Sequence, residues 1–417
     1  MHKINILPIL LLVCFLSKAI HSEPIVLNGE MVPELLGKPL SSIKVLDLQG
    51  RAIPFQIDEV TKDGEYVLDA GEHPNEKLSN GLLDPQDEIA FLFEDCADFS
   101  GSESDSGKVI ISRGGRRKAV IIRSDQNIAL NSASYMEYDH LKQILKTPFY
   151  YAAFGKDRFH FTKAGVKDFQ KNAFIHLTNE LRIEILLKAL WGMVPIRYSE
   201  ENVVCTVRRY KCGPIRLIRR GDFHLSLGLG VKGSKAAVNQ ICYPQLVKVP
   251  VFVHVPFRFR TLFSEAYIEM TPVITDAGSD CVFSVPSDRL EFPLRAENSD
   301  TLCLSVPENK LFTVHNSQSG YGWILQTSMD HTLLEGSGFI FRKPSSRKGY
   351  AECGYRLTVR DIPKGYYQIV NWVLFSDGSY SGLLEDSRSL QKPALIESDK
   401  KSYSNRLGVF RSRRSGN

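Results

Sequence analysis

The sequence predicts an all-β protein built from two or three antiparallel β-sandwich domains with few short helices. Short apolar runs recur along the 417 residues, and turn-forming residues separate them. The runs at 53–57 and 89–93 alternate with the period of two that is typical of a half-buried strand. With 43% hydrophobic and 24% charged residues, the chain has a globular composition and is long enough for two or three cores.

Strands are predicted wherever such a run is bounded by turn signals. The runs lie at 43–48, 53–57, 66–68, 89–93, 109–112 and 119–122, then at 181–186, 203–210, 215–218, 223–229 and 247–255, and finally at 312–315, 323–327, 338–342, 355–359 and 367–375. Strands with this close spacing and few intervening helices favour sandwiches over an α/β fold.

Breaks in the pattern divide the chain into segments. Residues 1–22 have the layout of a cleaved signal peptide, with an apolar core too short to span a membrane as a helix. We expect an N-terminal β-sandwich domain at 23–134, a central basic β-rich domain at 135–297, a C-terminal β-sandwich region at 298–395 and a disordered basic tail at 396–417. The sequence therefore predicts an exported protein, periplasmic or extracellular, without a transmembrane segment after cleavage.

A helix is predicted only at the boundary of the central domain. Residues 135–145 carry a rough apolar stripe that ends before Thr147-Pro148, and a proline disfavours helix in the residue before it. Residues 181–186 are interpreted as a strand, although apolar residues four apart also fit a helix over 181–191.

An acidic stretch interrupts the N-terminal domain. Residues 58–98 hold 13 carboxylates against two lysines, whereas the whole chain has a net charge of +5. Part of the stretch matches a twelve-residue calcium loop, but Leu78 occupies a ligand position. The candidate metal ligands are Glu76, Asn80, Asp84 and Asp87. The two interpretations are a weak calcium site and a solvated turn, since Asn-Gly and Asp-Pro also form turns without a metal.

Four segments carry a family resemblance. Residues 54–59 read PFQIDE, 63–68 read DGEYVL, 80–92 read NGLLDPQDEIAFL, and 213–220 read GPIRLIRR. They resemble the signature of a family of secreted bacterial β-rich proteins that is distantly similar to proteins of pectin and rhamnogalacturonan breakdown. The resemblance implies an extracytoplasmic β-sandwich with a carbohydrate connection, and it carries over no catalytic residue.

The central region concentrates candidate ligand-binding side chains. Arginines attract acidic polysaccharides, and aromatic rings can stack on the apolar faces of sugars. The candidates are Arg208, Arg216, Arg219, Arg220, Tyr150 and Tyr151. Because side chains alternate between the two faces of a strand, the basic residues of 208–211 cannot all line one patch. The alternative is a solvated basic surface above ordinary core aromatics.

Seven cysteines follow the predicted signal peptide, so an oxidising compartment would leave at least one unpaired. Cys205 and Cys212 are the disulfide candidates, because a Cys-x6-Cys segment can close a hairpin. Their spacing is not that of a zinc site, and no histidine partner identifies a thiol nucleophile.

No catalytic motif decides the function. The histidines lack metal or triad spacing, and no HExxH, GxSxG or nucleotide-binding loop occurs. Nucleic acid is an unexpected partner for an exported chain without a recognition motif. Three functions stay open: non-catalytic binding of carbohydrate or an envelope component, a polysaccharide lyase or glycoside hydrolase acting on acidic glycans, and an assembly or scaffold factor of an envelope complex.

Overall fold

The computed structural model describes most of the chain after residue 22. The described ranges are 23–101, 108–155, 159–189, 192–199, 204–226, 232–287, 289–294, 302–305, 311–329, 337–342, 351–391, 394–398 and 401–405. The predicted signal peptide at 1–22 lies outside them. In these ranges, no helix is long and apolar enough to cross a membrane.

The described residues form 29 strands, one α-helix and several short 3₁₀ turns. The first ten strands are β1 (Pro24–Asn28), β2 (Ile43–Leu46), β3 (Phe55–Asp58), β4 (Ala70–Gly71), β5 (Glu88–Leu92), β6 (Ala97–Asp98), β7 (Lys108–Arg113), β8 (Arg116–Ser124), β9 (Glu137–Asp139) and β10 (Ile144–Lys146). The next ten are β11 (Tyr150–Phe154), β12 (Phe161–Asp168), β13 (Ala173–Ala189), β14 (Val194–Ser199), β15 (Val204–Cys212), β16 (Leu217–Ser226), β17 (Lys232–Cys242), β18 (Leu246–Val255), β19 (Phe263–Ile274) and β20 (Val282–Val285).

The remaining elements complete the chain. They are β21 (Leu290–Pro293), β22 (Leu302–Ser305), β23 (Leu311–His315), β24 (Gly322–Met329), β25 (Gly338–Arg342), β26 (Ala351–Val359), β27 (Gly365–Phe375), helix α1 (Tyr380–Gln391), β28 (Ala394–Ser398) and β29 (Lys401–Asn405). The 3₁₀ turns lie at Gly29–Met31, Pro33–Leu35, Leu40–Ser42, Glu76–Leu78, Phe93–Asp95, Phe259–Thr261 and Asp276–Gly278.

The strands pair into four antiparallel sheets. Sheet I has the order β1-β5-β3, and sheet II has the order β2-β8-β7-β28-β29 with β6 beside β8. Sheet III has the order β22-β25-β26-β19-β13-β12-β11-β10-β9 with β14 beside β13. Sheet IV has the order β21-β20-β23-β24-β27-β18-β17-β16-β15-β4. The predicted all-β class with antiparallel sandwiches is confirmed.

Three apolar cores stack the sheets in the order II, I, IV, III. Sheets III and IV enclose the largest core, which includes Leu187 and Leu217. Sheets I and II enclose a second core around Phe91. A third core joins the other face of sheet I, through Leu92, to the outer face of sheet IV at Ile218. Sheet I is therefore covered on both faces, which explains why every residue of β5 is buried.

The sheets cross two predicted segment boundaries. Sheets III and IV both contain strands from before and after residue 297, so the central and C-terminal segments share one sandwich. The start of the predicted disordered tail at 396–417 is corrected, because β28 and β29 add to sheet II. Its apolar anchor is Ile396, which is buried in the core between sheets I and II. Polar composition beyond residue 400 concealed this pairing.

The predicted helix at 135–145 is wrong. The segment forms β9 and β10, which pair as an antiparallel hairpin. The Oδ1 atom of Asp139 accepts hydrogen bonds from the backbone N–H groups of Leu141 and Lys142, and Gln143 has a positive φ of 55°. Both features are typical of a turn and break a helix. The predicted strand at 181–186 is confirmed within β13.

Candidate functional site

A groove of about 650 Å³ lies on the face of sheet III that points away from sheet IV. Strands β13, β14, β19, β25 and β26 supply its walls. Because side chains alternate along a strand, Leu187 and Ala266 enter the core while Glu184, Tyr267 and Glu269 line the groove. The sheet thus separates an apolar inner face from a charged outer one.

A ladder of arginines and glutamates fixes one wall. Glu269 accepts hydrogen bonds from Nη1 of Arg342 at 2.9 Å and from Nε of Arg356 at 2.7 Å. Arg342 also donates through Nε to buried Glu352 at 2.7 Å, and Arg182 donates to the same carboxylate. Burial opposes the charge of Arg342, but its bonds to Glu352 raise its pKa above the ordinary value. The arginine side chains are therefore held in place before any ligand arrives.

A second cluster lies beside the ladder and centres on Glu265. Nζ of Lys188 donates to Oε2 of Glu265 at 2.8 Å, Nε of Arg360 donates to Oε1 at 3.1 Å, and the hydroxyl of Tyr267 also donates to Oε2. Burial works against the charged form, but these hydrogen bonds outweigh it and lower the pKa of Glu265 to about 2. Glu265 is ionised at neutral pH and is a poor proton donor.

Cations outnumber carboxylates among the side chains that line the groove, and the carboxylates of Glu265 and Glu352 beside it neutralise Lys188 and Arg342. The lining cations are Lys188, Arg197, Arg342 and Arg356, and the lining carboxylates are Glu184 and Glu269. Arg197 is exposed, and within the described part of the chain it has no carboxylate partner. Glu184 is exposed and stands directly across from Glu269 on the neighbouring strand. The groove can accept an anionic group at Arg197. The ring of Tyr267 lies beneath Lys188 and Arg356, whose charged groups are 5.0 Å and 5.4 Å from its centroid.

The sequence-predicted ligand residue Arg216 lies elsewhere, in a buried ionic cluster of Asp58, Glu88, Arg216, Tyr66 and Tyr243. Its Nε donates to Asp58 at 2.7 Å, its Nη2 to Glu88 at 2.7 Å and its Nη1 to Tyr243 at 2.9 Å. The Arg216 charge and that of Lys211 outweigh burial and lower the pKa of Asp58. Arg216 is fully buried, so its predicted role in ligand binding is corrected to a structural one.

Gln56 completes the contact between two of the segments that carry the family resemblance. Its Oε1 accepts a hydrogen bond from the backbone N–H of Arg216 at 3.0 Å, and its Nε2 donates to Asp58 at 2.9 Å. A Cβ atom on Gly213 would lie 2.2 Å from Oε1 of Gln56, so only glycine allows this approach. Residues 54–59 and 213–220 therefore meet where sheet I packs on sheet IV.

The other predicted arginines also contact protein groups. Arg219 is buried over the ring of Phe154, with its Cζ 3.7 Å from the ring centroid, and donates to Gln240 at 2.6 Å. Arg220 pairs with Asp222 at 3.1 Å, and Arg208 lies 3.8 Å from Glu72. The burial of Arg219 corrects its predicted role in ligand binding.

The predicted tyrosines divide between core and surface. Tyr150 is buried, stacks on Phe375 and donates its hydroxyl hydrogen bond to the backbone oxygen of Tyr243 at 3.0 Å. Its predicted role as a ligand platform is therefore corrected to core packing. Tyr151 is half-buried, and its hydroxyl lies 2.8 Å from Nδ1 of His176. None of the six predicted ligand residues lines the groove.

The predicted calcium ligands form a hydrogen-bonded turn. Asp87 accepts backbone N–H bonds from Val60 at 2.8 Å and Asp84 at 2.7 Å, and Asn80 donates to Asp84 at 2.9 Å. Glu76 is exposed in a 3₁₀ turn. Burial, with the nearby carboxylates, raises the pKa of Asp87 to about 6. In the described ranges no group of three or more His, Cys, Asp or Glu side chains is placed to hold a metal, and calcium binding stays a prediction.

The predicted Cys205–Cys212 disulfide is wrong. Both residues lie on the same strand, β15. Seven residues of extended strand separate their Cα atoms by roughly 23 Å, whereas a disulfide needs about 4–7 Å. The hairpin turn begins only after Cys212, where β15 gives way to β16.

Sequence reasoning missed the groove because its residues come from strands far apart in the chain. One local signal was present. In β13, the charged residues Glu180, Arg182 and Glu184 alternate with Leu181 and Ile183, which is a period-two pattern of one apolar and one charged face. That pattern predicts a charged sheet face but not which distant strands complete it.

The sequence matches no protein-family model and no curated protein sequence. The fold is similar to an α-mannosidase from Enterococcus faecalis, with a TM-score of 0.50 and 8% identity over 92% of this chain and 44% of that chain. A glycosyl hydrolase family 38 protein from Enterococcus faecalis gives a TM-score of 0.49 and 8% identity over 93% of this chain and 46% of that chain. A polysaccharide lyase gives a TM-score of 0.31 and 7% identity over 57% of this chain and 34% of that chain. This chain spans less than half the length of those proteins, and the first similarity shows a shared fold.

Proposed function

We propose that the groove on sheet III binds an acidic carbohydrate. The observation that carries the proposal is exposed Arg197, which has no carboxylate partner among the described residues and shares one open groove with Arg342 and Arg356. Carboxylates or sulfates of the carbohydrate would pair with these arginines. The name of the structurally similar α-mannosidase supports a carbohydrate ligand.

Binding of matched sugars tests this proposal. An oligogalacturonide should bind, and a neutral galactan oligosaccharide of the same length should bind at least tenfold more weakly. Arg197→Ala should cost the acidic ligand roughly tenfold or more in Kd, because a hydrogen bond to a charged group contributes about 1.5–3 kcal/mol.

Arg258→Ala is the matched control. Arg258 is an exposed arginine that pairs with Asp361 at 2.7 Å and does not line the groove. Its removal should leave the Kd for the acidic ligand unchanged. Equal affinity for the acidic and neutral sugars, or equal effects of the two substitutions, would contradict the proposed binding site.

A carbohydrate-active enzyme acting on acidic glycans is the second candidate function. Glu184 and Glu269 are directly opposite on adjacent strands, which places their Cβ atoms about 4.5–5.5 Å apart. Paired carboxyl groups about 5–10 Å apart are what glycoside hydrolysis requires. Release of reducing ends or unsaturated uronates that Glu184→Gln abolishes, while oligogalacturonide still binds, would support catalysis.

We also propose export to the periplasm or the extracellular space, as the predicted signal peptide at 1–22 implies. N-terminal sequencing of the exported protein should then begin near Glu23. Retention of Met1 in that fraction would contradict the proposal.

A further inference from the structure

A second space in the molecule lies between the two large sheets and is separate from the groove. The cavity has a volume of about 110 Å³. Strands β11, β12, β13, β19 and β26 of sheet III and β17, β18, β24 and β27 of sheet IV contribute its walls. It occupies the core of the sandwich, where apolar side chains normally pack without voids of this size.

The cavity wall is apolar apart from a few groups. Val249, Leu325 and Val373 are among the side chains that face it. Apolar cavities of roughly 150 Å³ stay free of water and bind small molecules such as benzene or xenon. A site of about 110 Å³ is therefore suited to a compact apolar molecule.

Asn371 gives the cavity a polar feature. Its side chain is 4% exposed and lines the cavity. Its Oδ1 accepts hydrogen bonds from Oγ1 of Thr327 at 2.9 Å and from the hydroxyl of Tyr355 at 3.0 Å. The hydroxyl of Tyr355 also lies 2.8 Å from Sδ of Met270, and its single proton serves one of these two acceptors, so Thr327 is the donor that orients the amide. Among the described residues, Nδ2 of Asn371 has no hydrogen-bond partner.

A buried N–H without an acceptor costs about 1–3 kcal/mol, so this donor favours an occupant that carries an acceptor. A water molecule needs two to four polar partners to be stable in such a site. The apolar side chains around Asn371 provide few such partners. An apolar molecule with one acceptor can pack against the apolar side chains and also accept a hydrogen bond from Nδ2 of Asn371.

We propose that the cavity binds a small apolar molecule that carries a single hydrogen-bond acceptor, such as a cyclic ketone, and that Nδ2 of Asn371 donates to this acceptor. The site is distinct from the groove, since the cavity lies on the inner face of sheet III and the groove on its outer face. Failure of either proposal leaves the other untouched.

Cyclopentanone and cyclopentane are the probes, and titration calorimetry with the full chain measures their Kd values. Both should bind the wild-type protein. Asn371→Leu removes the donor and keeps a similar volume, so cyclopentanone should bind about fivefold more weakly, as expected for one hydrogen bond, and cyclopentane should bind with unchanged Kd.

A filled cavity is the second variant. Ala152 is buried and lines the cavity, so Ala152→Leu should occupy the space and abolish the binding of both probes. Absence of binding to the wild type, binding retained by Ala152→Leu, or an equal loss of both probes in Asn371→Leu would overturn the proposal. Circular dichroism of each variant confirms that the loss does not come from unfolding.

Discussion

The buried ionic cluster and the groove use the same chemistry in opposite surroundings. In both, an arginine donates to two carboxylates at 2.7–2.9 Å. The side chain of Arg216 is 1% exposed, whereas those of Arg342 and Arg356 are 20% and 31% exposed. Because it is buried, Arg216 can only join sheet I to sheet IV. The more exposed Arg342 and Arg356 can also contact a ligand.

Burial also changes what each set costs. Taking two ions out of water carries a penalty that their attraction offsets only when hydrogen bonds satisfy the remaining groups. Asp58 meets this condition through Arg216 and Gln56. Arg356 keeps contact with solvent although Glu352 beside it is buried, so the Arg356–Glu269 pair contributes less to folding. The two regions should therefore respond differently to the same substitutions.

The largest effect is expected from Arg216→Met. It leaves Asp58 and Glu88 buried without their cation, and loss of one partner of a buried pair typically costs about 3–5 kcal/mol. Urea unfolding measures the change in the free energy of unfolding. Arg51→Ala is the control, because Arg51 pairs with Asp47 at the same 2.7 Å but is 77% exposed. A similar loss in the two variants would contradict the role assigned to burial.

Buried Lys248, near the ionic cluster, should make the stability of the protein depend on pH. Burial, reinforced by the charge of Arg216, lowers its pKa from 10.5 to about 8. Between these values the unfolded chain binds a proton that the folded protein does not, so stability rises with pH. The rise is up to about 3 kcal/mol from pH 8 to 10.5. The destabilisation that results from burying charged Lys248 is fully present below pH 8.

Lys248→Met removes this contribution. Its free energy of unfolding should exceed that of the wild type at pH 7, and the two proteins should converge by pH 10.5. Urea titrations at several pH values give the difference. A constant difference between pH 7 and 10.5 would show that Lys248 does not titrate in this window.

Arg356→Ala tests the exposed side. Glu269 keeps Arg342 as a partner, so the free energy of unfolding should fall by about 1 kcal/mol or less. Binding of an oligogalacturonide should weaken roughly tenfold or more, because a charge-assisted hydrogen bond is lost. If Arg356→Ala lost as much stability as Arg216→Met and bound the oligogalacturonide unchanged, Arg356 would be a structural residue and its assignment to ligand binding would be wrong.

The contrast between buried and exposed charges also explains which features the sequence could predict. Period-two alternation located β3 and β5, because Ile57 and Phe91 face a core as predicted. It also places Gln56, Asp58 and Glu88 on the opposite face, which a half-buried strand would leave to solvent. The structure buries that face because sheet IV covers it, and Arg216, about 160 residues later in the chain, supplies the partner. Local periodicity contains no information about such a distant cover.

The groove was hidden for a related reason. Glu184, Glu269 and Arg342 come from three strands, and only the pairing of β13, β19, β26 and β25 brings them together. The central arginines were predicted as ligand residues because they cluster in the sequence, yet Arg216 and Arg219 are buried. Clustering along a chain reports composition, whereas a site requires a shared face and access to solvent.

The smallest effect is expected from Lys188→Met, which removes one exposed pair. Lys188 is 38% exposed, so loss of its bond to Glu265 should change the free energy of unfolding at neutral pH less than any substitution above. The pKa of Glu265 should rise from about 2, because Lys188 is one of the donors that stabilise its charge. The stability that ionised Glu265 provides is present above its unfolded pKa and is lost as the pH falls towards 2. In the variant, NMR titration of Glu265 should show protonation at a higher pH, and the acid loss of stability should shrink; an unchanged titration would exclude Lys188 as a determinant of this charge.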